Sequence, residues 1–320
     1  MLYLSKENIR QAVSKKELLD EVEQALCLQE VGRFTMPQRM HLDSGENTLL
    51  LMPCLTERFY GTKLVTVFPG NINQNLPTVA AVMLLNSADT GETLAILDGQ
   101  ELTALRTGAM GGVGIRHTCP PDTERLGIVG TGVQGLNQAL FAASVRPLKE
   151  IQLLSRNTKN VATLVEKLAV ELPEIRIRAA ASIESLLESS QVIITATNSS
   201  VPVLPNNEEL LNGRHFIGIG SYKPIMRELP ETLFHLAKHI FVDTEYAIEE
   251  SGDLALPLSE GWISREQVSP LGKLLMGQQN DPGFPGETTI FKSVGMALLD
   301  VCVAELIYKN SIEQGLGKQL

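Results

Sequence analysis

Cysteine is scarce and scattered in this chain. Cys27, Cys54, Cys119 and Cys302 are the only four in 320 residues, with no Cys-x-x-Cys pair and no Cys/His grouping. That excludes a disulfide framework and a zinc site built on ligand-spaced thiols, so no metal is expected and the thiols should be free in a reducing compartment. Long apolar runs are missing too. None approaches the ~18 residues of a membrane helix, and the opening MLYLSKENIRQ lacks the apolar stretch of a secretory leader. The expectation is a cytoplasmic protein with no membrane contact. Positive charge is in deficit: 27 Lys and Arg against 37 Asp and Glu give a net −10. This balance argues against nucleic acid or an anionic membrane as partner. It leaves room for an anionic small substrate, because Arg and Lys dominate locally inside a pocket.

What is present is a chain of two-domain length, 43% apolar and 20% charged, as in a globular protein. Ser14 and Glu17 form a capping-box pattern, and Leu18, Val22, Ala25 and Leu26 follow at helical spacing, predicting a helix over 14–31. The period then changes. Residues 47–52, 61–68, 78–85 and 92–97 are apolar, β-prone runs, the last two joined by a turn at 87–91. This part reads as a mixed sheet with flanking helices. The polar stretch 69–77, which includes Asn71, Asn73 and Asn75, is equally a binding loop or a surface loop. Residues 101–116 read as a helix despite Gly108, Gly111, Gly112 and Gly114, each costing up to ~1 kcal/mol in a helix interior. Close approach of another backbone or of a cofactor, or packing at a domain junction, would each explain that composition.

The sequence HTCPPDT at 117–123 punctuates the pattern. Strands at 126–129, 151–154, 176–180, 192–195, 215–220 and 239–242 then alternate with helices at 134–144, 158–170 and 183–188, the signature of a parallel sheet. The tail 290–308 reads as a helix. It is read as returning to the first domain, with a final helix on the second domain as the alternative.

Residues 125–135 read RLGIVGTGVQG. A strand running into Gly130-x-Gly132-x-x-Gly135 and then a helix is a dinucleotide fingerprint. Gly130 permits the tight turn, Gly132 lets a pyrophosphate approach the backbone, and Gly135 lets the helix pack on the sheet. Thr131, Val133 and Gln134 lie within that loop, whose helix N-terminus favours phosphate. The same glycines in isolation would be an ordinary turn. An NAD site carries an acid about 20 residues further on. Here the second strand ends in Ser155-Arg156-Asn157-Thr158, with no Asp or Glu. Arg156 suits a 2′-phosphate, with Ser155 and Asn157 as further donors, so NADPH is expected over NADH. Otherwise Arg156 is a solvated residue after a strand.

The stretches TKLV at 62–65, LPT at 76–78, LDG at 97–99, TALRTGA at 103–109, the glycine loop, TAT at 195–197, GSY at 220–222, REL at 227–229 and FKSVG at 291–295 together resemble the ornithine cyclodeaminase/mu-crystallin family. The resemblance covers nearly the whole chain. It implies a homodimer with two domains: a Rossmann-like parallel-sheet dinucleotide domain at 119–298, and a mixed α+β substrate and dimerisation domain made of 1–118 with 299–320. It also implies interconversion of amino acids with their imino or keto counterparts. Arg39, Lys63 and Arg106 match the family's substrate site. Taken singly each is more simply a surface charge, but the chemistry fits, since an α-imino acid has a carboxylate for arginine and a C=N for a nearby ammonium. Thr195, Ala196 and Thr197 are expected to line the cofactor crevice, with Ser293 and Gly295 near the nicotinamide as in relatives.

Two departures bear on the reaction. Where cyclodeaminases carry an aspartate after the strand glycine, this chain has Ser221, and their glutamate before Leu-Met-Pro appears as Leu50. Losing both acids removes partners for a diamine. The expectation is therefore reduction of a cyclic imino acid such as 1-pyrroline-2-carboxylate or 1-piperideine-2-carboxylate. Ornithine cyclodeamination, an amino-acid dehydrogenase activity and a non-catalytic binding role are the alternatives.

Overall fold

The computed structural model describes residues 1–74, 76–278 and 286–320. The chain forms two compact units, Met1–Arg106 with Met296–Leu320, and Thr107–Gly295. No helix among the described residues is long and apolar enough to cross a membrane.

The first unit is a mixed sheet. Its strands are β1 (Leu2–Leu4), β2 (Phe34–Thr35), β3 (Met40–Ser44), β4 (Asn47–Thr56), β5 (Phe59–Val67), β6 (Val79–Ser87) and β7 (Thr93–Asp98). From one edge the order is Lys318–Gln319, β1, β7, β6, β5, β4 and β2, with β3 also paired to β4. β4 to β7 form an antiparallel meander, and β1 joins β7 in parallel. The side chains alternate as the strand period requires. Leu50, Met52 and Cys54 of β4 turn inward, as do Gly61, Lys63 and Val65 of β5. The helices Lys15–Val31 and Ala297–Gln314 pack together, and the second also packs on β4, β5 and β6. Ser14 closes the expected capping box with Glu17 at the start of the first. Gly61 lets the second seat: a Cβ there would lie 2.6 Å from Met83 Cε and 2.7 Å from Val301 Cγ2. The loop after β5 opens with a short 3-10 turn, Pro69–Gln74, and Asn71 Nδ2 donates to the Pro77 carbonyl at 2.8 Å. Asn75 lies outside the described residues.

The second unit is a parallel sheet of β8 (Arg125–Val129), β9 (Glu150–Leu154), β10 (Arg176–Ala179), β11 (Val192–Thr195), β12 (His215–Gly218), β13 (Ala237–Val242), β14 (Val268–Pro270) and β15 (Thr288–Lys292). Their order is β10-β9-β8-β11-β12-β15-β13-β14, and every pairing among the described residues is parallel. The chain winds outward from β8 in one direction and from β11 in the other. This is the doubly wound arrangement, and its switch point between β8 and β11 is where such sheets bind ligands.

The small residues of helix Gly99–Thr118 serve packing. A Cβ at Gly108 would lie 2.6 Å from the Phe141 ring, and Cβ atoms at Gly111 and Gly114 would overlap Gln138 and Phe291. The tail differs from expectation. Residues 288–292 are not helical but form β15, inserted between β12 and β13 and buried along its whole length. Thr288, Thr289, Ile290 and Phe291 are β-branched or aromatic, which suits a strand covered on both faces. Gly295, at φ +76, breaks the run. The helix starts only at Ala297, and it belongs to the first unit.

Candidate active site

The glycine loop has the form a dinucleotide needs. Gly130 sits at φ +114, a left-handed conformation closed to other residues at little cost. A Cβ on it would overlap the Ala196 carbonyl, and one on Gly135 would overlap the Gly130 carbonyl, so both glycines are required by close packing. Gly132 differs: a Cβ there would meet nothing within 4 Å. The loop is therefore open at the glycine that a pyrophosphate would approach. Thr131 Oγ1 and Gln134 Oε1 are buried with no hydrogen-bond partner among the described residues. Val133 and Gln134 begin the helix Val133–Val145, whose N-cap, Gly132, provides no side-chain cap. Unsatisfied N–H groups and the Thr131 hydroxyl, a further donor, beside an open glycine fit a phosphate-bearing cofactor.

At the end of β9, Arg156 is exposed and followed by helix Thr158–Glu171, which has no acid in its first turn. Asn157 is engaged locally, since its Oδ1 accepts from Lys159 N at 3.1 Å and Asn160 N at 3.3 Å as the helix cap. Ser155 Oγ accepts from Asn157 N at 3.4 Å. Of the three, Arg156 is the one with a charged group directed to solvent.

Thr195, Ala196 and Thr197 leave β11 at the switch point. The two threonine hydroxyls point at Glu228, not outward. Thr195 Oγ1 donates to its Oε2 at 3.1 Å and Thr197 Oγ1 to its Oε1 at 2.8 Å. Burial raises the Glu228 pKa, opposed by Lys292 and the Thr197 donors and reinforced by Asp253. Ser293 and Gly295 are held in a similar way by Asp243, which accepts from Ser293 Oγ at 2.7 Å and Gly295 N at 2.7 Å. Neither Glu228 nor Asp243 stood out in the sequence as a site residue. Each follows a strand or turn in an apolar neighbourhood, and only the fold brings the donors to it.

In the first unit the structure brings Lys63 and Arg106 together on a carboxylate that sequence reasoning missed. Lys63 Nζ lies 2.6 Å from Asp300 Oδ2, and Arg106 Nε donates to Asp300 Oδ1 at 3.0 Å. All three are buried. Asp300 stands in the first turn of Ala297–Gln314, where the helix dipole favours a negative charge. The Arg106 contact is made through Nε, so the two terminal nitrogens of the guanidinium are not spent on Asp300. Lys63 faces Met52 and Met83 across β4 and β6. Desolvation there, opposed by Asp300 and aided by Arg106 and Arg39, leaves its pKa lowered to about 7. Half-buried Arg39, just before β3, is thus electrostatically part of the same cluster. An ammonium that titrates near neutrality, a guanidinium anchored through Nε and a shared buried carboxylate can bind an anion and deliver a proton.

The two positions that depart from the cyclodeaminase pattern are filled structurally. Leu50 is buried and pairs with Val65. Ser221 Oγ donates to the Met226 carbonyl at 2.7 Å and shares a hydrogen bond with Ser251 Oγ at 2.7 Å. Among the described residues no group of three or more His, Cys, Asp or Glu is placed to hold a metal ion.

A Delta(1)-pyrroline-2-carboxylate reductase of Bacillus cereus is 34% identical, the match covering 100% of this chain and 99% of the relative. The Thermococcus litoralis Delta(1)-pyrroline-2-carboxylate reductase, solved with NADH and L-proline, superposes with a TM-score of 0.94 at 30% identity over 100% of both chains. An archaeal alanine dehydrogenase dimer with bound NAD gives 0.92 at 29% identity, covering 100% of this chain and 98% of the other. The model of the ornithine cyclodeaminase/mu-crystallin family matches residues 1–315, and the chain belongs to that family.

Proposed function

We propose that this protein reduces a cyclic α-imino acid to the cyclic amino acid with a nicotinamide dinucleotide: 1-pyrroline-2-carboxylate to proline, or the six-membered 1-piperideine-2-carboxylate to pipecolate. The observation that carries this reading is the buried Lys63–Asp300–Arg106 cluster. The substrate has a carboxylate beside a C=N. Arg106 holds the carboxylate through its terminal nitrogens, and Arg39 adds positive charge. Lys63, with its pKa near neutrality, gives a proton to the imine nitrogen. The bound dinucleotide supplies the hydride that the α-carbon receives. The C=N double bond thereby becomes a CH–NH single bond, and Lys63 is left neutral beside Asp300, whose charge favours its reprotonation. Cyclodeamination is disfavoured by Leu50 and Ser221, which stand where the acids for a diamine's second amine would be.

Glycine-loop residues 130–135, with the backbone of 195–197 and 293–295, would hold the dinucleotide. Arg156 favours NADPH over NADH because it faces solvent after β9 with no acid in the turn that follows. By analogy with the archaeal alanine dehydrogenase dimer, the working form is a homodimer, and the scattered thiols suit the cytoplasm. The deciding experiment is a panel of cyclic and open-chain imino acids assayed with NADPH and NADH, with products identified. Proline or pipecolate formation is expected. No turnover with either ring size would overturn the reading. Arg156→Ala should raise the NADPH KM by about tenfold, the order of one charge-assisted contact, and leave the NADH KM unchanged. Equal wild-type KM values for the two cofactors would sink the NADPH preference.

A further inference from the structure

Three loops leave the C-terminal ends of β8, β11 and β12, and they lie in direct contact. Gly130 packs on Ala196, and Gly220 packs on the Thr197 backbone so closely that a Cβ on either would overlap it. The loop after β11 is therefore wedged between the glycine loop and the loop after β12. One side chain ties the last two together. Glu228 Oε1 accepts from Thr197 N at 2.7 Å and Thr197 Oγ1 at 2.8 Å. Its Oε2 accepts from Gly220 N at 2.8 Å, Ser221 N at 3.2 Å and Thr195 Oγ1 at 3.1 Å.

Glu228 is itself fixed from behind. Asp253 Oδ1 accepts from the backbone N–H of Glu228 at 2.7 Å and of Leu229 at 2.9 Å. Lys292 supplies positive charge, with Nζ 3.5 Å from Asp253 Oδ2. Glu228, Asp253 and Lys292 are fully buried. Stability alone does not call for such an arrangement, since apolar replacements of buried ion clusters are often neutral or stabilising. What a carboxylate adds is convergent acceptance: it fixes N–H groups of two separate loops at set distances. Its oxygens are taken up by those donors, so it acts through the loops and not on a ligand.

We propose that Glu228 is a positioning residue for the dinucleotide: by stapling the loops after β11 and β12, it fixes the surface on which the glycine loop rests. The proposal rests on the reading of the glycine loop as the dinucleotide site. The test uses the full chain titrated with NADPH and NADH, following nicotinamide fluorescence, alongside steady-state kinetics. Glu228→Gln keeps the volume but turns one acceptor into a donor facing N–H groups. It should raise the dinucleotide Kd by about tenfold or more, the equivalent of one lost charged hydrogen bond. The imino-acid KM and the kcat at saturating dinucleotide should stay within about threefold, as expected for an effect on binding alone. Thr197→Val removes one donor and should weaken dinucleotide binding in the same direction, whereas Thr197→Ser keeps the donor and should restore it. This pair decides the matter if Glu228→Gln does not fold. A folded Glu228→Gln protein with a lowered Tm and a wild-type Kd would overturn the proposal, as would Thr197→Val binding like wild type. A wild-type chain that binds neither dinucleotide overturns the underlying site and the proposal with it, and needs no variant to show it.

Discussion

A lysine in the inward-facing row of an antiparallel strand must be compensated, and Lys63 shares its one carboxylate with Arg106. Burial wins over that pairing, since the Lys63 pKa falls from 10.5 to about 7. If protonated Lys63 is the proton donor, kcat/KM for imine reduction should fall as pH rises through about 7. Lys63→Met, which fits beside Met52 and Met83, should lose about 10²–10⁴-fold in turnover, the usual worth of a positioned acid, and lose that limb of the profile. The stability effect has the opposite sign. Between about 7 and 10.5 the unfolded chain binds the proton that folded Lys63 has released, so stability rises with pH across that window. Denaturant titrations should show the wild type gaining on Lys63→Met from pH 7 upward. A difference that is flat or moves the other way would remove Lys63 as a depressed-pKa group. The sequence marked Lys63 and Arg106 through family resemblance. Asp300 escaped notice because, in the middle of the helix expected over 290–308, a single aspartate has an ordinary explanation as a solvated residue, and the two cations that make it special are 194 or more positions away in the chain.

Elements are where sequence reasoning did best and where its failures are most instructive. The helix at Lys15–Val31 and the alternating strands and helices from β8 to β11 were legible, because capping residues and apolar periodicity are local signals. β15 was not, since its five residues, Thr-Thr-Ile-Phe-Lys, are too few and too mixed to show an alternation, and an apolar helix follows within five positions. The glycine loop joins a strand to a helix, as its local pattern predicts, and the structure separates its members. Gly132 has extended backbone angles, φ −84 and ψ −162, and open space where a Cβ would go. Gly132→Ala should therefore keep its stability within about 0.5 kcal/mol yet raise the dinucleotide Kd by about tenfold or more by blocking the approach of the pyrophosphate. Gly135→Ala should do both kinds of damage. Its Cβ would overlap the Gly130 carbonyl, so the helix must move off the loop, costing about 1–3 kcal/mol as well as affinity. Thermal melts paired with fluorescence titrations distinguish the two, and identical behaviour of both variants would contradict the geometry.

For the molecule as a whole, the chain's two ends build the first unit and its interior builds the second. The parallel unit was legible because its elements follow one another in sequence. Family resemblance assigned the C-terminal helix to the first unit, but an apolar helix carries no mark of which strands it covers, so its seat on β4, β5 and β6 was not legible. That helix buries Leu298, Leu299, Val301, Val303 and Ile307. At about 1.5–3 kcal/mol per buried side chain, these alone rival a total stability of about 5–15 kcal/mol. Removing 296–320 should therefore leave the inward faces of β4, β5 and β6 uncovered and Lys63 without Asp300. The expected product is an aggregating chain without reductase turnover. Removing only 316–320 is a much smaller change. It deletes the edge strand Lys318–Gln319, which pairs with β1 at Leu2 and Tyr3, and the contact of Gly317 with Leu2 and Leu4. That truncation should remain soluble and active, with Tm lowered by only a few degrees, since one kcal/mol shifts even a 150–250-residue protein by only about 2–4 °C. Turnover surviving in the 1–295 chain would remove Asp300 from the proton-donor cluster, because Lys63 would then be working without it.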